Sequence, residues 1–251
     1  MKLEIGYQPT FEIRRIQFPL DIKGSCSILY LSDFHLNRFG AKLVARVLAC
    51  VQELDPDIIL LGGDYVDTRA GFKHFRVFLE AIASRRHVFA IAGNHDFFFG
   101  IQKIKKLMAD CKVCFLENSA DIIDLQGFKV QISSIHAVNE TNEADLNILC
   151  LHQPITLKAG RHPYQLVFAG HLHGSQFVFW QTQQGLYPGR WFYTWNRLQD
   201  WHDHCLYIIS KGLGDTLPIR YNCRKDMIFV RVVAYEPDIQ IFEDDLKTKR
   251  K

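Results

Sequence analysis

Five short polar motifs interrupt this chain in a fixed order, each at the end of an apolar run: Asp33-Phe34-His35, Gly63-Asp64-Tyr65-Val66-Asp67, Gly93-Asn94-His95-Asp96, Leu151-His152-Gln153-Pro154 and Gly170-His171-Leu172-His173. The apolar runs before the first three read as buried strands, over 28–31, 58–61 and 88–92. Between them lie segments whose apolar residues recur at helical spacing. These are Leu43, Val47, Val51 and Leu54, then Phe75, Phe78, Leu79 and Ile82, and after the third strand Ile101, Ile104, Leu107 and Met108. Alternating strands and helices specify an α/β chain, and its motifs then fall just past the C-terminal ends of strands, where open α/β sheets place their sites.

Further strands are predicted at 128–135, 146–151, 165–169, 206–210 and 227–234. They are less often separated by helical segments, which suggests a second sheet with more antiparallel pairing. At 251 residues, with no repeat, low-complexity linker or evident boundary, the chain is expected to form one domain over 1–251, with the motif core at about 27–223. A formal charge of +3 carries no strong nucleic-acid signal, because that would need basic residues gathered on one face. The basic tail over 243–251 reads as a flexible solvated end or as a contact for a membrane surface or an acidic partner. Seven cysteines, an odd number set mostly in apolar runs, are expected to be free thiols in a reducing compartment. The first residues lack an apolar signal core and no apolar run approaches a bilayer span, so the expected location is cytoplasmic, or peripheral to the inner face of the membrane.

Each motif has a plain alternative: His152 as a hydrogen-bonded core histidine, Gly63-Asp64 as a turn, Gly93-Asn94-His95-Asp96 as a helix cap. Five such motifs in order, each ending an apolar run, favour a shared site. Imidazole, carboxylate and amide donors suit borderline cations such as Mn, Fe, Zn or Co better than Mg. In extended backbone, alternate residues face one side, which would aim Asp33 with His35, and His171 with His173, into one cavity. The glycines before Asp64, Asn94 and His171 fit sharp turns that bring backbone close to an ion. Asp67 is expected to orient a ligand imidazole.

The five motifs together resemble those of the calcineurin-like metallophosphoesterases, dinuclear hydrolases of phosphate esters and anhydrides. The resemblance implies a four-layer α/β/β/α sandwich of two mixed sheets flanked by helices. It assigns Asp33, His35 and His173 with Asp64 to one divalent metal, and Asn94, His152 and His171 with Asp64 to the other. Because two cations about 3.5–4 Å apart repel each other, Asp64 is the candidate shared anion. The family pattern makes His95 the group that contacts or protonates the leaving oxygen, with Asp96 orienting it, after in-line attack by a metal-bridging hydroxide.

Within the family, three segments resemble the small bacterial phosphodiesterase branch of YkuE/YaeI type, which includes the UDP-diacylglucosamine pyrophosphatase of lipid A synthesis. They are the stretch 147–154, His171-Leu172-His173-Gly174-Ser175-Gln176, and Gly212-Leu213-Gly214 followed by Pro218-Ile219-Arg220-Tyr221-Asn222-Cys223. The chain departs from the branch at Ser134-Ile135-His136-Ala137, where members often carry a Gly-x-Asp-Asp turn. The expected substrate is a small phosphodiester or a nucleotide- or lipid-linked pyrophosphate. His136, Arg190, Arg197, Trp191 and Trp195 are the candidate substrate contacts. The aromatic-rich stretch 177–201 reads either as core with a packed loop or as an apolar wall for a lipid or nucleoside. Rival readings are a nuclease, a soluble nucleotide phosphodiesterase, and a scaffold that keeps the fold without the chemistry.

Overall fold

The computed structural model describes residues 2–22, 24–85, 87–135, 144–158, 162–202 and 204–235. Two six-stranded mixed sheets stack face to face. The first runs in the order Phe11–Leu20, Lys225–Ala234, Cys26–Leu31, Ile58–Leu61, Val88–Ala90, Cys114–Phe115. The second runs Gln199–His202, Cys205–Ile209, Leu166–Ala169, Leu146–Cys150, Phe128–Ser133, Ala120–Leu125. In the second sheet antiparallel pairing is confined to the two edge pairs, and its centre is parallel.

The period of two along each central strand sends alternate side chains to different layers. Ile28, Tyr30, Ile58 and Leu60 meet Ile132, Ile148 and Phe168 of the other sheet in the inter-sheet core. Leu29, Leu31, Ile59 and Leu61 face the helices. Both faces are therefore dry, which is why these strands read as continuous apolar runs.

Helix α1 (Ala41–Leu54), helix α2 (Gly71–Ile82) and, after the short α3 (Asn94–Phe99), helix α4 (Ile101–Asp110) cover the outer face of the first sheet. They bury the residues that the helical spacing marked, among them Val47, Val51, Phe75, Phe78, Ile104 and Met108. The α1 helix stops where Asp55 turns left-handed, one residue before Pro56. The outer face of the second sheet is covered by Ile155, Leu157, Tyr164 and Trp195. The chain thus forms the mixed α/β fold of two large mixed sheets with helices. Among the described residues α-helices cover the outer face of the first sheet alone, so the second helical layer of the expected four-layer sandwich is not found there.

The seven cysteines are free thiols, and Cys150 and Cys205 lie deep in the sheets. Among the described residues no helix is long and apolar enough to cross a membrane.

A buried ionic network ties the C-terminal segments to the rest. Asp215 accepts from Arg220 Nε at 2.6 Å and from Lys225 Nζ at 2.6 Å, with all three side chains no more than 3% exposed. Arg220 also donates to the carbonyls of Lys211 and Gly214. Burial lowers the Lys225 ammonium against the pull of Asp215. Removing the single shared carboxylate leaves two buried cations without it, so Asp215→Asn is expected to cost about 3–5 kcal/mol. A urea titration would read this as a lower midpoint at unchanged slope; a loss below about 1 kcal/mol would show that the pair is not needed for stability.

Candidate metal centre

The turns that follow the strands bring the side chains of all five motifs to one edge of the sandwich. Extended backbone is not what aims them. Asp33, His35, Asp64, His171 and His173 have φ of 53°, 44°, 56°, 72° and 50°, so the Asp-x-His and His-x-His segments are left-handed turns rather than strand ends. Such backbone costs a non-glycine residue of order 1–3 kcal/mol and persists where its surroundings over-determine it. Close packing of the turns supplies that constraint. Gly63, at φ +93°, sits so near Gly93 that an added Cβ would lie 2.4 Å from its nitrogen, and a Cβ on Gly170 would lie 2.3 Å from Asp33 Oδ2.

Asp64 lies at the centre. Its Oδ1 accepts the His95 backbone N–H at 2.8 Å, and its Oδ2 is 3.2 Å from His152 Nε2 and 3.7 Å from His35 Nε2. On one side, His35 Nε2 and His173 Nε2 approach to 3.1 Å, and His173 Nε2 is 3.5 Å from Asp33 Oδ1. On the other, His152 Nε2 is 2.9 Å from Asn94 Oδ1 and 3.2 Å from His171 Nδ1. Asp33 is fixed by Ser32 Oγ at 2.6 Å and by the His171 backbone N–H.

Second partners set the imidazole orientations. His152 Nδ1 lies 2.9 Å from the Gly62 carbonyl, an acceptor, which fixes the proton there and leaves Nε2 facing the cluster. Asp67 Oδ1 meets both His35 Nδ1, at 2.9 Å, and His95 Nδ1, at 3.0 Å. One carboxylate thereby orients two rings.

Asp96, expected to orient His95, does something else. It is fully buried, accepts the backbone N–H groups of Gly93, Asp64 and Tyr65 at 2.8–2.9 Å, and latches the start of α3 to the Asp64 turn. Burial pushes its carboxyl up to about 6, even though the three backbone hydrogen bonds act in the opposite direction.

The electrostatics of the cluster call for positive charge. Burial opposes protonation of His152, but its hydrogen bond to Asp64 and the charges of Asp33 and Asp64 push it up to about 9. Burial likewise opposes protonation of His35, and Asp67 outweighs it. Burial would raise Asp64, yet His152 and His35 hold it below the usual carboxylate range. His171 is lowered by burial and by His152. His173 is lowered well below an ordinary imidazole by burial, His35 and Arg220, whose Nη2 lies 3.2 Å from its Nδ1. Protons are thus held where buried carboxylates and imidazole nitrogens converge, and a cation could take their place.

Three donor groups have ligand atoms within 4.8 Å of one another: Asp33, His35 and His173; His35, Asp64 and His95; Asp64, His152 and His171. Carboxylate oxygens and imidazole nitrogens converging in this way fit a divalent metal.

The other expected contacts are not gathered here. Trp195 stacks on Tyr207 at 4.4 Å, in the outer layer of the second sheet. Arg197 pairs with Asp200, and Arg190 donates to the Gln184 carbonyl. Trp191 is exposed on a surface aromatic group with Trp180 and Tyr187. His136 and the basic tail lie outside the described residues.

A cleft of about 390 Å³ does adjoin the cluster, on the His152 side. Its lining includes Phe97, Ile101, Phe115, Ile135 and Ile155, and none of the residues 177–201. These residues come from five separate segments without a shared motif, so sequence spacing gives no sign of them. Arg220 and Asp215 were likewise not singled out, although Arg220 stands in a segment that carries the family resemblance.

Residues 26–175 match the family model of calcineurin-like phosphoesterases, and the chain belongs to that family. It is 28% identical over 237 residues to the phosphodiesterase YaeI of Escherichia coli K12, covering 87% of this chain and 86% of that protein. Two Bacillus subtilis proteins described as uncharacterized metallophosphoesterases are also similar. YkoQ is 24% identical, with 85% of this chain and 86% of that one covered, and YkuE is 26% identical, with 80% and 76% covered. Among solved structures, the calcineurin-like phosphoesterase YfkN from Bacillus subtilis aligns at 12% identity with a TM-score of 0.48, over 75% of this chain and 82% of that one. Family membership makes the chain a metal-dependent hydrolase of the calcineurin-like phosphoesterase class.

Proposed function

We propose that the chain hydrolyses a phosphodiester or pyrophosphate bond with the help of two divalent cations. Asp33, His35, His173 and Asp64 would hold one, and Asn94, His152, His171 and Asp64 the other, with Mn, Fe or Zn as the ions that suit these donors. The observation that carries this reading is the position of Asp64, whose carboxylate faces His152 and His35 from between the two halves of the donor set. When bound, the cations polarise the phosphoryl group and bring water into the range of a nucleophile at neutral pH.

The chain's own groups do the rest. Asp67 Oδ1 accepts a hydrogen bond from His95 Nδ1–H, which leaves Nε2 of a partly exposed ring as the atom that would hold a second proton and deliver it to the departing oxygen. Asp67 holds His35 in the same way, with Nε2 turned inward. The Asp96 latch fixes the distance between the Asp64 turn and the start of α3, and so the distance from Asp64 to His95.

The substrate is a nucleotide- or lipid-linked phosphate, with UDP-diacylglucosamine as the specific candidate, met by a cytoplasmic protein at the inner face of the membrane. The exposed aromatics Phe179, Trp191, Phe192 and Tyr193, beside Arg190, support a surface suited to a lipid interface. Competing assays of metal-loaded protein on acylated and deacylated UDP-sugars, a cyclic dinucleotide and short single-stranded DNA test this. Chelation is expected to abolish turnover and added Mn or Zn to restore it, with the acylated sugar preferred. Indifference to acylation would indicate a soluble nucleotide phosphodiesterase, and preferred cleavage of DNA a nuclease. Inertness toward every substrate with two metals bound would indicate a scaffold.

A further inference from the structure

We propose that the cleft beside His152 is the subsite for a hydrocarbon arm of the phosphoester, which makes the chain selective for substrates with one alkyl or acyl-bearing ester group. The inference rests on the phosphodiesterase reading above and adds to it where the substrate lies.

Position is the first argument. His152 both lines the cleft and meets Asp64 and Asn94 in the cluster, so a phosphorus centre at the cluster has one ester arm directed to the cleft mouth. The second argument is size. At about 390 Å³ the cleft falls within the ~300–1,000 Å³ of sites that enclose most of a small ligand.

Charge is the third argument, and it selects the occupant. Apart from His152, the charged side chains that line the cleft are Lys105 and Glu117, and they neutralise each other through a 2.5 Å ion pair. Lys105 also lies 5.2 Å from the centre of the Phe115 ring. Among the described residues this leaves, beyond His152 at the cluster end, no unpaired lining cation to follow a phosphate backbone, as a nucleic-acid strand would require. The walls are Ile91, Phe97, Ile101, Leu116, Ile135 and Ile155. Phe97 is 65% exposed at the edge of the cleft, a large apolar side chain facing solvent on a helix that begins with Asn94 and His95. A hydrocarbon chain laid along this wall removes apolar surface from water on both partners, about fourfold in binding for each fully buried methylene.

The test uses metal-loaded full-length protein and a series of p-nitrophenyl phosphodiesters whose second arm is methyl, butyl, octyl or thymidine. In the wild type kcat/KM is expected to climb with chain length, to an octyl-to-methyl ratio of order 100 if the chain is half buried. Phe97→Ala is expected to lower that ratio about tenfold. Phe98→Ala, which alters the neighbouring exposed ring outside the cleft, should leave the ratio as it is. Melting temperature and metal content, measured on each variant, separate a changed subsite from a changed fold. Turnover of the methyl ester without a chain-length effect would overturn the subsite and leave the phosphodiesterase reading standing. A thymidine arm preferred over octyl, or equal ratios in the Phe97 and Phe98 variants, would also overturn it. No turnover of any ester by protein holding two metals would overturn both.

Discussion

His95→Asn is expected to lower turnover by about 100- to 10,000-fold while metal content stays at the wild-type level, the range usual for loss of a positioned acid. The separation follows from what each atom of His95 touches. Its backbone N–H holds Asp64 Oδ1 at 2.8 Å, a contact that any residue at the start of α3 retains. Its ring is anchored at Nδ1 by Asp67, and that side-chain carboxylate stays engaged with His35 when the ring is gone. The substitution therefore removes the proton donor and little of the donor set. If Nε2 protonates the leaving oxygen, the loss must shrink as the leaving group becomes more acidic. Nitrophenyl esters should suffer least and alkyl diesters most. Equal losses across leaving groups would sink the acid role, and a parallel loss of metal would place His95 among the ligands, as its proximity to His35 and Asp64 allows.

Much of this arrangement was legible in the sequence because physical constraint and sequence pattern coincide there. Strands buried on both faces leave continuous apolar runs, and a site at their C-terminal ends leaves polar motifs where those runs stop. The helices were legible through Val47, Val51, Phe75 and Phe78 for the same reason. The strand Phe11–Leu20 was not read. Its apolar positions are interleaved with Arg14, Arg15 and Gln17, and Pro19 sits inside it. A proline is tolerated there because the strand lies at the sheet edge. Arg14 is also less solvated than its type suggests, since it bonds Asp226 and the carbonyls of Ile209 and Leu198.

Asp67 was read as orienting a ligand imidazole, and it does meet His35 Nδ1, but its second contact, with the His95 ring, and the role of Asp96 were harder to read. The family pattern pointed to Asp96, but on the first turn of a helix its side chain folds back onto backbone N–H groups. The partner of the His95 ring arrives from a different loop, 28 residues away. Periodicity also misled at Asp33 and His35, where left-handed turns do what an extended strand was expected to do. The cleft beside His152 has no linear signature at all, because it exists only where five segments meet.

Asp64→Asn is expected to empty both metal positions together, with apparent affinity at each weakened by more than the ~10- to 100-fold that loss of a hydrogen-bond partner behind a ligand costs. The change is nearly isosteric, and Oδ1 can still accept the His95 N–H, so the turn should keep its shape. On the proposed two-metal centre, what disappears is the negative charge between two cations that would repel each other. It also disappears from between His35 and His152, whose ring nitrogens lie 3.7 and 3.2 Å from Oδ2. A carboxylate serving one ion alone would give a different result: one metal lost and one retained. Elemental analysis of purified wild type and variant distinguishes these outcomes. Paired melting curves, with and without added metal, show whether the variant still folds, because any ion that binds only the native state raises its melting temperature by an amount that grows with the logarithm of its concentration over its Kd. Two metals per chain in a folded Asp64→Asn protein would remove Asp64 from the shared position and leave each ion to be held by its remaining donors.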